Sequence, residues 1–156
     1  MGKVLNIKQT INVAKELNKQ GKTVVLVGGC FDVLHSGHIG FLNEAKKEGD
    51  VLMALLESDE NIKKIKGKNR PLNSQINRSI VLSSLSSVNY IIPLRGVTNG
   101  NFYDKLIVQI KPAYIAITVG DKNLKKREEQ CKLVNAKLVK IRKFNGLSSS
   151  NYIKNI

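Results

Sequence analysis

The sequence predicts an α/β fold, a doubly wound parallel sheet in a single domain, on three observations. Short apolar runs alternate with helical patterns along nearly the whole chain, so each run is linked to the next by a crossover. The clearest trio, residues 23–27, 36–48 and 50–56, reads strand, helix, strand, and parallel pairing demands that crossover. At 156 residues and 42% hydrophobic content the chain buries one proper core and is too short for two ordinary domains.

The elements follow in order. Ile7, Ile11, Ala14 and Leu17 recur at helical spacing and Gly21 follows as a stop, which makes residues 6–20 an N-terminal amphipathic helix. Residues 23–156 form the α/β core. Its first strand, 23–27, is a continuous apolar run buried on both faces. The helix over 36–48 turns Ile39, Leu42 and Ala45 inward and ends at Gly49, and 50–56 is the second strand. A polar connector over 57–70 leads to Pro71, after which Ile76, Ile80, Val81 and Leu85 support a helix running into a strand at 90–93. A helix over 102–110, a strand over 114–119, a short polar helix over 125–135 and a last strand at 137–141 complete the sheet, and 150–156 forms a final helical turn or two. Such a sheet binds ligands at the carboxyl ends of its strands, near the switch in strand order.

At one such end, residues 28–38 read Gly-Gly-Cys-Phe-Asp-Val-Leu-His-Ser-Gly-His. Two glycines after a strand let the backbone turn sharply and approach a ligand, and the next helix presents its N-terminus to an anion. His35 and His38 are neighbours on that helix's first turn, and Gly37 leaves room between them. Two imidazoles beside a positive helix end suit a phosphate whose charge grows during reaction. A metal site lacks partners, because these are the only two histidines and the cysteines, Cys30 and Cys131, are far apart. Cys30 reads as a small thiol behind the turn.

The cysteines make no disulfide framework, the N-terminus has no signal-peptide core, and the longest apolar stretch, 51–56, is too short to span a bilayer. A soluble cytoplasmic protein without a membrane partner is expected. The formal charge of +14 invites a nucleic-acid reading, and its densest stretch lies between Lys122 and Lys143. Few aromatics interleave these cations, so a basic nucleic-acid-binding module is the weaker alternative, and a polyanionic small substrate gains equally from the field.

The stretch from Gly28 to His38 resembles the His-x-Gly-His nucleotidylyltransferase (cytidylyltransferase-like) family. Further motifs extend the resemblance over nearly the whole chain: Lys66-Gly67 with Arg70-Pro71, Asn77-Arg78, Lys111-Pro112, Gly120-Asp121, and the close Asn145-Gly146-Leu147-Ser148-Ser149-Ser150. Together they are most similar to the nucleotidylyltransferase domain of ADP-heptose synthase, which has a Rossmann-like fold. The resemblance implies transfer of AMP from ATP to a phosphorylated acceptor, most like D-glycero-D-manno-heptose 1-phosphate, with release of pyrophosphate. Cytidylyl transfer to glycerol 3-phosphate or a phospho-amino-alcohol, and adenylyl transfer to FMN, are the alternatives within the same chemistry.

By the same resemblance His35 and His38 bind the triphosphate, and Gly28, Gly29, Cys30, Phe31 and Asp32 form the loop around it. Arg78 holds distal phosphates, Gly120 and Asp121 belong to the nucleotide site, and Ser148, Ser149 and Ser150 hold phosphate at the start of the last helix. The chain departs from the heptose pattern at Gly40, Thr118 and Lys143, which assigns Thr118 and Lys143 to the acceptor side. An ionised acceptor phosphate attacks the α-phosphorus in line without a general base, so catalysis is positioning and charge neutralisation. His35, His38, Lys46 and Mg²⁺ are expected to supply it, with no protein ligand assigned to the metal. A homodimer is the assembly the resemblance implies.

Overall fold

The structure, a computed structural model, describes residues 1–96 and 98–144. In chain order its elements are β1 (Lys3–Val4), α1 (Ile7–Lys19), β2 (Val24–Gly29), α2 (Ser36–Lys47), β3 (Val51–Leu56), α3 (Asp59–Lys66), α4 (Gln75–Ser83), β4 (Tyr90–Pro93), α5 (Gly100–Ile110), β5 (Tyr114–Thr118), α6 (Leu124–Val134) and β6 (Lys137–Ile141). The strands pair in parallel in the order β1-β4-β3-β2-β5-β6. Strand order therefore reverses at β2: the chain steps from β2 to β3 and β4 on one side, then returns through α5 to β5 and β6 on the other.

Alternation within the strands divides the core into two layers. Val24 and Leu26 of β2 and Val51, Met53 and Leu55 of β3 pack with Ala14, Leu106, Ile107, Ile110 and Cys131, beneath α1, α5 and α6. Val25, Val27, Leu52, Ala54 and Leu56 point the other way and pack with Leu42, Ala45 and Leu82, beneath α2 and α4. This period-two division is why β2 and β3 read as unbroken apolar runs: both faces are covered. Truncating Met53 or Leu52, each fully buried, to Ala removes about 2–5 kcal/mol.

The predicted strands and helices recur within a residue or two, with three differences. The polar connector contains α3, whose helicity comes from its ends: Ser58 Oγ accepts from Asn61 N–H at 3.0 Å, Asp59 and Glu60 occupy the first turn, and Lys63, Lys64 and Lys66 the last. Asn61 and Ile62 are buried, and Ile62 alone is apolar, too little for a hydrophobic period to show. The two-residue β1 pairs with the start of β4 and is too short to leave a pattern.

The third difference concerns α4, which forms as expected but turns over. Ile76, Ile80 and Val81 are 74%, 58% and 49% exposed, while Arg78, Ser79, Leu82 and Ser83 are buried. The inward face joins the apolar Leu82, with Leu85 packed beside it, to the hydrogen bonds of Arg78 described below. Ile39 on α2 is likewise partly exposed, though Leu42 and Ala45 are buried as expected. The helix predicted over 150–156 lies outside the described residues.

Candidate active site

At the switch in strand order, the carboxyl end of β2 opens into a cleft of about 360 Å³. Gly29 ends the strand, and a Cβ there would lie 2.9 Å from the Phe31 ring, so the close fold-back of Phe31 requires glycine. Phe31 itself has φ of 45°, a left-handed conformation that costs a bulky residue about 1–3 kcal/mol. What the turn gains is a buried ring packed edge-on against His38, with centroids 5.7 Å apart.

His35 is the N-cap of α2, and its Nδ1 accepts from Gly37 N–H at 3.2 Å. Neutral His35 therefore carries its proton on Nε2. One turn on, the His38 ring lies 3.9 Å from it, centroid to centroid. Burial lowers both imidazole pKa values; for His38, burial, His35 and Lys66 together bring it to about 4. Both rings are thus neutral near pH 7 and offer N–H donors without fixed charge. His38 Nδ1 is buried and has no hydrogen-bond partner among the described residues.

Among the described residues, four cations line the cleft around this pair: Lys66 at the end of α3, Arg127 on α6, and Arg142 and Lys143 after β6. Against them stand the carboxylates of Glu57 and Asp121. Such a cleft concentrates a polyanion. Phe144 closes one edge by lying on α2, where a Cβ at Gly40 would meet its ring at 2.6 Å. Gly40, a departure in the sequence pattern, is the seat of that aromatic ring.

The structure places Gly28, Gly29, Cys30, Phe31, His35, His38, Thr118, Asp121 and Lys143 together on the cleft lining. Gly120 adjoins them with φ of 82°, its Cβ position 3.5 Å from Lys143 Nζ. Burial raises the Cys30 thiol pKa, ahead of the opposing effect of Lys66, so it stays protonated and is a poor nucleophile.

Three expected residues are elsewhere. Asp32 is buried under the turn, where its carboxylate accepts from Arg70 Nε at 2.7 Å, Leu72 N–H at 3.0 Å and Asn73 N–H at 2.9 Å. Burial alone would raise its pKa, but these donors outweigh it and hold the carboxyl below its usual range. Arg78, 2% exposed, donates to Asn73 O at 3.0 Å, Cys30 O at 2.5 Å, Glu57 O at 2.9 Å and Asp59 Oδ1 at 2.7 Å. Both residues brace the turn from behind. Lys46 corrects the catalytic set more sharply: its Nζ donates to Gly49 O at 3.2 Å and to Asp50 O, just before β3, at the opposite end of the sheet. It caps the carboxyl end of α2. Ser148, Ser149 and Ser150 lie outside the described residues.

Sequence reasoning passed over Glu57, Tyr103, Arg127, Arg142 and Phe144, and quoted Lys66 without a role. Glu57 and Arg142 were within reach, since each is the first residue after a strand that ends at the cleft. Tyr103 and Arg127 arrive from the first turns of crossover helices, where no local pattern marks them.

Comparison with known proteins bears on this arrangement. A family model described as cytidylyltransferase-like matches residues 26–155. The chain is similar to the bifunctional protein HldE of Aliarcobacter butzleri, 40% identical over 92% of this chain and 29% of that protein. It is also similar to HldE of Actinobacillus pleuropneumoniae, 34% identical over 96% of this chain and 30% of that protein. The chain thus spans about three tenths of the length of these curated relatives. Among solved structures it resembles a lipopolysaccharide core biosynthesis protein from Thermoplasma volcanium, with TM-score 0.68 and 27% identity over 80% of this chain and all of that one. A pantoate-beta-alanine ligase from Francisella tularensis, at TM-score 0.72 and 20% identity over all of this chain and 74% of that one, shares the fold.

Proposed function

The chain belongs to the cytidylyltransferase-like family of nucleotidylyltransferases, and from that premise we propose that it transfers AMP from ATP to a sugar 1-phosphate, most like D-glycero-D-manno-heptose 1-phosphate, releasing pyrophosphate. The observation that carries the reading is the pair of neutral, half-buried imidazoles on the glycine turn, inside a cleft lined, among the described residues, by Lys66, Arg127, Arg142 and Lys143. The HldE relatives and the lipopolysaccharide core biosynthesis protein support a carbohydrate acceptor.

In this reading the triphosphate lies across the end of β2 with its α-phosphate at His35 and His38. His35 donates from Nε2, the proton position its Gly37 bond imposes, and each aimed donor supplies ~3 kcal/mol as equatorial charge grows. Lys66, Arg127, Arg142 and Lys143 neutralise phosphate charge, and the ionised acceptor phosphate attacks in line with departing pyrophosphate. Among the described residues no group of three or more His, Cys, Asp and Glu is placed to hold a metal ion. Mg²⁺ belongs to the proposal as the companion of the triphosphate and would add to the neutralisation of its charge.

Pyrophosphate release with ATP or CTP against heptose 1-phosphate, glycerol 3-phosphate, phosphoethanolamine and FMN tests the reading. ATP with heptose 1-phosphate is expected to be the fastest pair, and no turnover with any pair sinks it. No described helix is long and apolar enough to cross a membrane.

A further inference from the structure

Glu57, which follows β3 directly, is fixed through both its main chain and its side chain. Its N–H donates to Gly29 O at 3.1 Å and its carbonyl accepts from Arg78 Nη2 at 2.9 Å, which ties it to the glycine turn. Its carboxylate accepts from the Tyr103 hydroxyl on Oε1 and from Asn61 Nδ2 on Oε2 at 2.5 Å. Thr98 Oγ1 in turn donates to the Tyr103 oxygen at 2.7 Å, and the Arg127 guanidinium lies 5.9 Å from the Tyr103 ring centre. Glu57, Tyr103 and Arg127 all line the cleft, on the side of α5 and α6, while the histidines enter from α2 on the other face of the sheet.

A carboxylate offers about four lone-pair positions, and the two protein donors use two of them. The remaining capacity is for accepting only. A phosphate has no hydrogen to give at neutral pH and would be repelled, so Glu57 does not serve the triphosphate. Its ligand must donate. An ammonium would donate, but Arg127 lies over the Tyr103 ring beside this carboxylate and opposes a second cation. Neutral hydroxyl groups meet no such opposition, and two adjacent ones match the two oxygens of one carboxylate.

We propose that Glu57, held in place by Asn61 and Tyr103, is the specificity-determining residue of the acceptor subsite and accepts hydrogen bonds from adjacent hydroxyls of a sugar phosphate. The assignment of this ligand as the acceptor rests on the transferase reading above; the recognition of a polyol by Glu57 is a separate claim. Glu57→Gln keeps the shape and replaces one acceptor oxygen by a donor, and Tyr103→Phe removes a hydroxyl that aims the carboxylate.

The assay is steady-state pyrophosphate release with ATP and heptose 1-phosphate, on variants whose melting temperatures match the parent. Glu57→Gln should raise the KM for heptose 1-phosphate about tenfold or more, through the unpaired polar groups it leaves, with the KM for ATP unchanged within twofold. Tyr103→Phe should move the same KM in the same direction by less. An unchanged acceptor KM, or an equal rise in the KM for ATP, overturns the proposal. Should the parent turn over no acceptor, the transferase reading fails separately, and calorimetric titration with heptose 1-phosphate and mannose 1-phosphate decides the residue's role. Binding by the parent that is lost in Glu57→Gln supports it; equal binding, or none, overturns it.

Discussion

The neutral state of His38 gives the most exacting test of the cleft. In the protein without ligand, burial is the main force lowering its pKa from 6.5 to about 4, followed by His35 and Lys66. That depression corresponds to about 3 kcal/mol against the charged ring, reduced to ~2 by the solvent that still reaches this side of the cleft. A phosphate oxygen ~4 Å from the ring contributes about 4 kcal/mol in the opposite direction at an effective dielectric of 20. The second figure exceeds the first, so a bound triphosphate should draw a proton onto His38 in mildly acidic solution. The chain has only two histidines, so side-chain NMR titration resolves both, and His38→Gln assigns them. The expected result is a midpoint far below the ordinary imidazole range without ATP and a marked rise with it. A midpoint near 6.5 in the free protein, or one that ignores ATP, refutes the burial of His38 or the placing of phosphate beside it.

The same ring sets a stability window: below pH 6.5 the unfolded chain binds the proton first, so the melting temperature should fall from pH 6.5 towards about 4, and His38→Gln should flatten that fall. Asp32 has its carboxyl held low, so its contribution is intact above the unfolded value of 3.8 and lost as pH falls through the lower folded one, a second decline below the first on the same melting curves. Asp32→Ala strands the buried Arg70 guanidinium and should cost about 3–5 kcal/mol in urea unfolding; a loss under 1 kcal/mol would contradict the clamp. Lys46→Ala should leave kcat/KM within threefold of the parent, since its ammonium caps α2 far from the cleft; a hundredfold loss would return it to the catalytic set. Gly40→Val should displace the Phe144 ring and raise the KM for nucleotide, with little change in melting temperature.

What could be read in the sequence divides by physical range. Strands such as β2 and β3, buried on both faces, show themselves as unbroken apolar runs, and the order of elements then fixes where the cleft opens. The histidine pair was legible because strand end, glycine turn and helix start are contiguous. Arg78 was not, because its role is set by carbonyls contributed at Cys30, Glu57 and Asn73, and the preference of an arginine for backbone acceptors over solvent leaves no mark in periodicity. The inverted face of α4 has the same origin: Ile76, Ile80 and Val81 form a respectable helical stripe, but burying it would turn Arg78 outward. Lys46 failed for a simpler reason: the twelve residues of α2 make a helix about 18 Å long, with the histidines at its first turn and Lys46 in its last.

The guanidinium of Arg78 also bears on motion. One side chain gathers the end of β2, the end of β3, the first turn of α3 and the approach to α4. These four segments are therefore expected to open as one cooperative unit, with their amide hydrogens exchanging at a common rate. The floor of the cleft is then either fully assembled or lost, and a lesion at Arg78 would weaken every ligand of the cleft together, imitating the loss of a direct contact it does not make.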